Sequence, residues 1–391
     1  MGGLKRIYLD NAATSWPKPD SVYDAVSRYL RECGAPAGRS VYAEAHQANQ
    51  AVTAARASLA KFLGADDPRR VIFTLNGTDA LNLAIHGLLD EGDHVVTTVV
   101  EHNSVLRPLR QLETCRGVKV DRVACNVRGY VDPLAIRRAI RPKTKLVAVT
   151  HASNVTGTIQ NISEITAIAH EREAVVLVDA AQTLGYLPIH VGELGIDLLA
   201  APGHKGLLGP LGTGLLYLRA GMERRIRTLR EGGTGTQSDD DRQPQMLPYK
   251  YEAGSLNVPG IVGLGAGIDF LRMQGNRLRE HHQQLTDRLI AGLIDIGGVR
   301  VFGPAEASER VGVVSIAIEG YDPQEVAATL DGAHRVQVRA GFHCAPLMHA
   351  ALGTLDLGGA VRFSIGVFNT EADIDAAIAA VAEVAAESAA T

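Results

Sequence analysis

The segment VVLVDAAQTLG, residues 175–185, runs through four apolar side chains, stops them on Asp179 and continues in small residues with Gln182 among them. A short, continuous apolar run predicts a strand covered on both faces, as strands are in a parallel sheet flanked by helices. An acid closing such a strand stands at the carboxyl edge of the sheet, where open α/β folds bind their ligands. Capping the next helix is the commoner use of Asp in that position, and pairing with a buried cation is the alternative. Gln182 adds a neutral donor and acceptor to the same loop.

Six further β-branched runs, VIFTL (71–75), HVVTTV (94–99), VKVDRVA (118–124), KLVAVT (145–150), IDLLAA (196–201) and GTGLLYL (212–218), alternate with helix-like stretches. That alternation predicts an α/β fold with a mostly parallel sheet covered by helices. Ahead of it, residues 41–64 read as a helix stopped by Gly64, and a shorter helix follows Pro19 and Asp20. Residues 230–260, rich in Gly, Asp, Pro and Gln, read as a long functional loop. Beyond them come a helix pattern at 277–295, the strands VGVVSIAIE (311–319), RVQVRAG (335–341) and AVRFSIG (360–366), and a last helix with Thr370 and Asp373 as its capping box. The expected division is a large α/β domain over 18–257 and a smaller α+β domain from 1–17 and 258–391.

Composition narrows the function. A chain of 391 residues with 46% hydrophobic and 21% charged residues is an ordinary globular protein of more than one domain. A net charge of -4 removes the electrostatic argument for nucleic acid. No apolar run is long enough to span a bilayer and no signal peptide is visible, so a cytoplasmic location without membrane association is expected. Cys33, Cys115, Cys125 and Cys344 are scattered and form neither a zinc knuckle nor a disulfide framework. The phosphate loop and HExxH are absent, and GLGAGID near 263 has the wrong glycine spacing for a dinucleotide fingerprint.

APGHKGLLGPLGTG, residues 201–214, sets Lys205 after His204 in a run of glycine, proline and small or apolar residues. Read alone, Lys205 is a solvated turn residue. In FTLNGTDALNLAIHGLL (73–89), Gly77, Thr78 and Asp79 offer backbone N–H groups and a hydroxyl at a helix N-terminus, which suits a phosphate as well as a plain cap. In VVEHNSVLRPL (99–109), His102 follows a strand, where it stacks on a flat ring or satisfies a turn. Together these parts describe a site for a flat, phosphorylated, cationic heteroaromatic group on a lysine. Pyridoxal 5'-phosphate meets each requirement: an aldehyde for Lys205, a phosphate for the N–H donors, and a ring nitrogen for Asp179.

The ordered motifs LDNAATSWPKP, NGTDALN, EHNS, SNVTGT, VDAAQTLG, GHKGLLGPLGTG, YEAGSLN, RAGFHCAPLMH and VRFSIGVFNT resemble the class V aminotransferase fold, specifically its group II cysteine desulfurases and selenocysteine lyases, from residue 8 to about 373. The resemblance implies a homodimer of fold-type I subunits with a shared active site. It implies Lys205 as the Schiff-base lysine, His102 as the ring-stacking residue, Asp179 on the pyridine nitrogen and Gln182 on the ring hydroxyl. Thr78 and His204 would hold the phosphate, with Ser255 from the other subunit, and Asn154 and Arg362 would grip the substrate carboxylate. Ala201 and Pro202 stand where relatives commonly carry Ser or Thr, so one phosphate contact is expected to be missing.

Cys344 separates the chemistries. A lone Cys is ordinarily inert core, and His343 and His349 beside it make a weak metal signal, three ligands without a fourth. The resemblance makes Cys344 the nucleophile on a short loop, and leaves the other three cysteines structural. The expected function is an L-cysteine desulfurase that releases alanine, leaves a persulfide on Cys344 and passes the sulfur to an acceptor protein, with no metal. Alternatives are a selenocysteine lyase, a transaminase or epimerase of the same fold in which Cys344 is incidental, and a non-catalytic binding homologue.

Overall fold

The computed structural model describes residues 6–38 and 40–388. A short strand β1 (Ile7–Tyr8) leads into helices α1 (Asp20–Glu32) and α2 (Ala43–Leu63). The chain then alternates through β2 (Val71–Thr74), α3 (Gly77–Leu88), β3 (His94–Thr98), α4 (Asn103–Arg116), β4 (Lys119–Val123), α5 (Pro133–Ala139), β5 (Thr144–Thr150), α6 (Ile162–His170) and β6 (Val175–Asp179). Strands β7 (Leu198–Pro202) and β8 (Gly214–Leu218) close this half, and helices α7 (Val258–Gln274) and α8 (Arg277–Ile294) follow. The remainder is β9 (Val299–Phe302), β10 (Val313–Ile318), α9 (Pro323–His334), β11 (Val336–Gln337), β12 (Arg339–Gly341), α10 (Pro346–Leu352), β13 (Ala360–Ser364) and α11 (Glu371–Ser388).

All seven expected strands of the first half enter one sheet, ordered β2-β8-β7-β6-β5-β3-β4. Only β8 opposes the rest, running antiparallel to both β2 and β7. Alternation along each strand decides which helices cover which face. Val176, Val178, Leu199 and Ala201 pack with α2, α6 and α7, whereas Val175, Leu177, Leu198 and Ala200 pack with α3 and α4. With both faces covered, the α/β expectation holds. Gly64 ends α2 in the left-handed conformation, and Thr370 and Asp373 cap α11 reciprocally.

The second half builds a four-stranded antiparallel sheet, β12-β13-β10-β9, covered by α8, α9 and α11. Three features depart from the sequence reading. RVQVRAG is two strands, not one: β11 pairs parallel with β1, and after Val338 the chain moves to β13 as β12. Strand β9 was not expected, because only Phe302 of its residues is fully buried and the apolar pattern is correspondingly weak.

Helix α7 was not expected either, because Gly260, Gly263, Gly265 and Gly267 lower its helix propensity by roughly 1 kcal/mol each. Packing overrides propensity here. A Cβ on Gly267 would lie 2.4 Å from the Leu207 carbonyl oxygen, and one on Gly263 would lie 2.7 Å from Pro210. The glycines let α7 press against the segment after Lys205. No helix among the described residues is long and apolar enough to cross a membrane.

Candidate active site

Five strands deliver their carboxyl ends to one cleft of about 520 Å³ including its open mouth. Asn76, Gly77 and Thr78 arrive after β2, His102 and Ser104 after β3, and Thr150 and Asn154 with β5. Asp179, Ala181 and Gln182 follow from β6, and Pro202, His204 and Lys205 from β7. The open sheet edge thus gathers eight of the expected site residues.

Lys205 makes no side-chain hydrogen bond among the described residues. Burial lowers its amine to about 8, against the pull of Asp179, with the Arg362 and Arg339 charges lowering it further. Asp179 is buried, and its carboxyl is pushed up by that burial while the Ala181 amide at 2.9 Å and the Lys205 charge hold it down. Glycines bring the two loops together: a Cβ on Gly185 would sit 2.2 Å from the Gly206 carbonyl oxygen.

His102 accepts a hydrogen bond at Nδ1 from the Ser104 amide, 3.0 Å, and so caps α4. A ring nitrogen that accepts carries no proton, so the neutral ring holds its proton on Nε2. Burial lowers the imidazole to about 4, and the charge of Lys205 reinforces this. His204 is lowered to about 4 in the same way, and its Nδ1 is buried without a partner among the described residues. Gln182 donates to the Ala12 carbonyl at 3.2 Å.

At the start of α3 the expectation needs a correction. Asp79 was expected to offer a free amide, but Asn76 Oδ1 accepts from it at 2.9 Å as the helix cap. The Asp79 carboxylate accepts from the Leu75 amide and pairs with Arg230, both at 2.9 Å, outside the cleft lining. The amides of Gly77 and Thr78 have no acceptor among the described residues, and the Thr78 hydroxyl meets Ser104 Oγ at 2.7 Å. A Cβ on Gly77 would lie 3.0 Å from Cδ of Pro202.

Besides Asp79, three expected residues, Arg362, Ser255 and Cys344, lie outside the cleft lining. Arg362 is 1% exposed, donating to the Asn154 carbonyl at 3.1 Å and to Asp10 at 2.8 Å, with Nε buried and unpartnered. Ser255 is exposed in the irregular segment before α7.

Cys344 is half-buried and linked to the cleft by backbone contacts. Its carbonyl accepts from the Asn103 amide at 2.7 Å, and the His343 carbonyl accepts from Asn154 Nδ2 at 2.6 Å. Both His343 and Cys344 are left-handed, φ +49° and +57°, which costs a non-glycine residue roughly 1–2 kcal/mol each. No group of three His, Cys, Asp or Glu side chains among the described residues is arranged to hold a metal.

Several residues here carry no advance signal of their own. Arg339 places Nη2 4.0 Å from Cys344 Sγ, and Asp10 fixes Arg362. Glu101 is fully buried between Thr98 and the Thr150 amide, and burial raises its carboxyl to about 8. The peptide of Lys205 is clamped by residues near the N-terminus: Ser15 Oγ donates to the Lys205 carbonyl at 2.9 Å and Lys18 Nζ to the His204 carbonyl at 2.7 Å. The motif LDNAATSWPKP holds these N-terminal residues, but only the fold brings them to the loop of Lys205.

Known proteins are similar to this chain in sequence and in fold. The family model for aminotransferase class-V matches residues 7–377. A probable cysteine desulfurase of Methanothermobacter thermautotrophicus is 39% identical, covering 94% of this chain and 92% of its own length. One from Halalkalibacterium halodurans is 36% identical over 96% of this chain and 92% of its own. Among solved structures, the apo cysteine desulfurase of Thermococcus onnurineus superposes with a TM-score of 0.92 at 34% identity, covering 98% of this chain and 95% of that one. With the family model spanning nearly all of its length, the chain belongs to the class-V aminotransferase family.

Proposed function

We propose that this chain is an L-cysteine desulfurase dependent on pyridoxal 5'-phosphate, in which Cys344 receives the sulfur. The observation that carries this reading is the joining of two chemistries. Lys205 and Asp179 share the cleft, and the segment of Cys344 is hydrogen-bonded to Asn154, which lines it, and to Asn103, which lies between the lining residues His102 and Ser104. The relatives named as cysteine desulfurases support the same reaction.

The residues fit the cofactor. The acceptor-free amides of Gly77 and Thr78, the Thr78 hydroxyl and the unpartnered Nδ1 of His204 suit its phosphate. Asp179 suits the ring nitrogen, Gln182 the ring hydroxyl and the neutral His102 a ring face. Lys205, with no competing hydrogen bond, would carry it. When bound, pyridoxal 5'-phosphate supplies an aldehyde for an amine and a ring that withdraws electrons from the neighbouring carbon.

The protein's own groups do the rest. Arg362 and Asn154 orient the substrate carboxylate, a task for which a guanidinium fork is suited. Lys205, lowered to about 8, takes the Cα proton as a base and later returns a proton. The Cys344 thiolate attacks the substrate sulfur: an S–S bond forms as the Cβ–S bond breaks, and the carbon fragment leaves as alanine. Cysteine and the Cys344 thiol therefore become alanine and a persulfide, which a thiol acceptor removes. A homodimer is part of the proposal, with Ser255 of the partner subunit completing the phosphate site.

The test mixes cofactor-loaded protein with L-cysteine and follows alanine and protein-bound persulfide. Cys344→Ala is expected to lose at least about 10²-fold in sulfur release. A Cys344→Ala protein as fast as the parent would overturn the nucleophile assignment.

A further inference from the structure

Beside Cys344 lies a polar cluster that the proposed reaction does not use. His343, His349 and Thr354 are 3%, 0% and 0% exposed. His343 Nε2 lies 3.3 Å from the Arg339 carbonyl oxygen, His343 Nδ1 lies 3.3 Å from His349 Nε2, and His349 Nδ1 lies 2.8 Å from the Thr354 hydroxyl.

The direction of this chain is fixed by its end. A carbonyl only accepts, so His343 Nε2 holds a proton and, in a neutral ring, His343 Nδ1 accepts. His349 Nε2 must then donate, His349 Nδ1 must accept, and the Thr354 hydroxyl, 2.8 Å from that nitrogen and 3.2 Å from the His349 carbonyl oxygen, shares its one proton between these two acceptors. Every polar atom of the two rings is satisfied in this one arrangement, and burial keeps both rings neutral by lowering His349 to about 4 and His343 well below its ordinary value. The rings lie 28° from parallel with centroids 5.5 Å apart, and His349 also meets the edge of Phe342.

What the chain holds is unusual backbone. His343 and Cys344 are consecutive left-handed, non-glycine residues, a conformation that persists only where its surroundings over-determine it. On one side Asn154 and Asn103 hold the His343 and Cys344 carbonyls. On the other side the ring of His343 is tied to Arg339, whose guanidinium faces the thiol.

We propose that Thr354, His349 and His343 form a positioning relay that fixes the left-handed turn at Cys344 and so holds its thiol in one orientation at the border of the cleft. His349 touches neither cofactor nor substrate; it acts through His343. The proposal rests on Cys344 being the sulfur-accepting group.

The test compares His349→Leu, which fills the space without a donor, with His349→Gln, whose amide N–H can still reach His343 Nδ1. In cofactor-free protein, iodoacetamide alkylation of Cys344 is followed by peptide mass mapping, with the exposed Cys115 as internal control. His349→Leu is expected to speed alkylation of Cys344 at least five-fold, with Cys115 unchanged, and His349→Gln to stay within two-fold of the parent. In loaded protein, His349→Leu is expected to slow sulfur release about ten-fold while exchange of the substrate Cα hydrogen for deuterium, which needs Lys205 and not Cys344, stays within two-fold. Equal alkylation of Cys344 in all three proteins overturns the relay. Should His349→Leu fail to fold, the near-isosteric Thr354→Val takes its place, and an unchanged Cys344 rate there overturns the relay as well. Failure of the desulfurase reading is separate, since it appears as absent sulfur release in the parent and leaves the alkylation rates interpretable.

Discussion

The loop of Lys205 and the loop of Cys344 border the same cleft but are held by different physics. Around Lys205 the backbone itself is packed. Gly206 lies against the Leu184 carbonyl and the Tyr186 ring, and Gly209 lies against Leu264 of α7. Ser15 and Lys18 fasten the carbonyls of His204 and Lys205. Around Cys344 the glycine packing stops at the entry to the loop, where a Cβ on Gly359 would lie 2.2 Å from the Gly341 carbonyl oxygen, and the two left-handed residues beyond it are kept in place by side-chain hydrogen bonds from Asn154 and the histidine pair. A close-packed loop cannot shift without disturbing the core, whereas a loop held by polar side chains is retuned by one substitution. The lysine end therefore suits chemistry common to many substrates, and the cysteine end the step that distinguishes one.

The sharpest way to break this contrast is to remove each functional group in turn. Lys205→Ala is expected to lower Cα hydrogen exchange and sulfur release together, by about 10³-fold or more, because the base for both is gone. Cys344→Ala is expected to abolish sulfur release while keeping Cα exchange near the parent rate. Deuterium exchange at the substrate Cα, read by mass spectrometry, separates the two. Parent-like exchange in Lys205→Ala would show that the two loops do not divide the reaction as described.

The two loops also differ in how far the sequence discloses them. The strand ending on Asp179 announces itself, because a buried parallel sheet needs continuous apolar runs, and Lys205, a solvated turn residue when read alone, stands out once the neighbouring motifs are read with it. All seven strands of the large sheet follow from such local rules, whereas among the eight cleft residues Asn154 and the phosphate role of His204 come only from the resemblance. Helix α7 escapes them, since its glycines speak against a helix until the loop it presses on is known. Asp79 misled for the reverse reason: Asn76, one residue before the Gly77–Asp79 cluster, takes the amide that the Gly-Thr-Asp pattern seemed to leave free. Arg339, Asp10 and Lys18 gain meaning only through contacts across the fold, and no spacing rule reaches them.

A smaller change probes the packing of the lysine loop directly. Gly267→Ala puts a methyl group 2.4 Å from the Leu207 carbonyl, so either α7 or the loop must move. Overpacking of this kind costs about 1–3 kcal/mol, and the gain in helix propensity returns roughly 1 kcal/mol. A net loss of about 1–2 kcal/mol in denaturant unfolding is expected, together with weaker retention of pyridoxal 5'-phosphate on dialysis. Gly275→Ala, beyond the end of the same helix and with open space around its Cβ position, is the control for packing, although its positive φ carries its own cost. Unchanged cofactor retention in a destabilised Gly267→Ala protein would mean that α7 supports the fold without setting the loop.

The finest test is the pH dependence of Lys205 itself. Condensation with an aldehyde needs the neutral amine, and burial brings this amine down to about 8 against the opposing charge of Asp179. In cofactor-free protein, the rate of pyridoxal 5'-phosphate uptake is therefore expected to rise about ten-fold per pH unit below about 8 and to level off above it. Asp179→Asn removes the charge that favours the ammonium form, so the midpoint should move to lower pH, whereas simple loss of a cofactor contact would slow uptake at every pH and leave the midpoint in place. His349→Leu should leave the midpoint where it is, because the relay acts on the cysteine segment and makes no contact with Lys205. Absorbance followed at a series of pH values checks all three. A midpoint that moves with His349 but not with Asp179 would reverse the division of labour between the two loops.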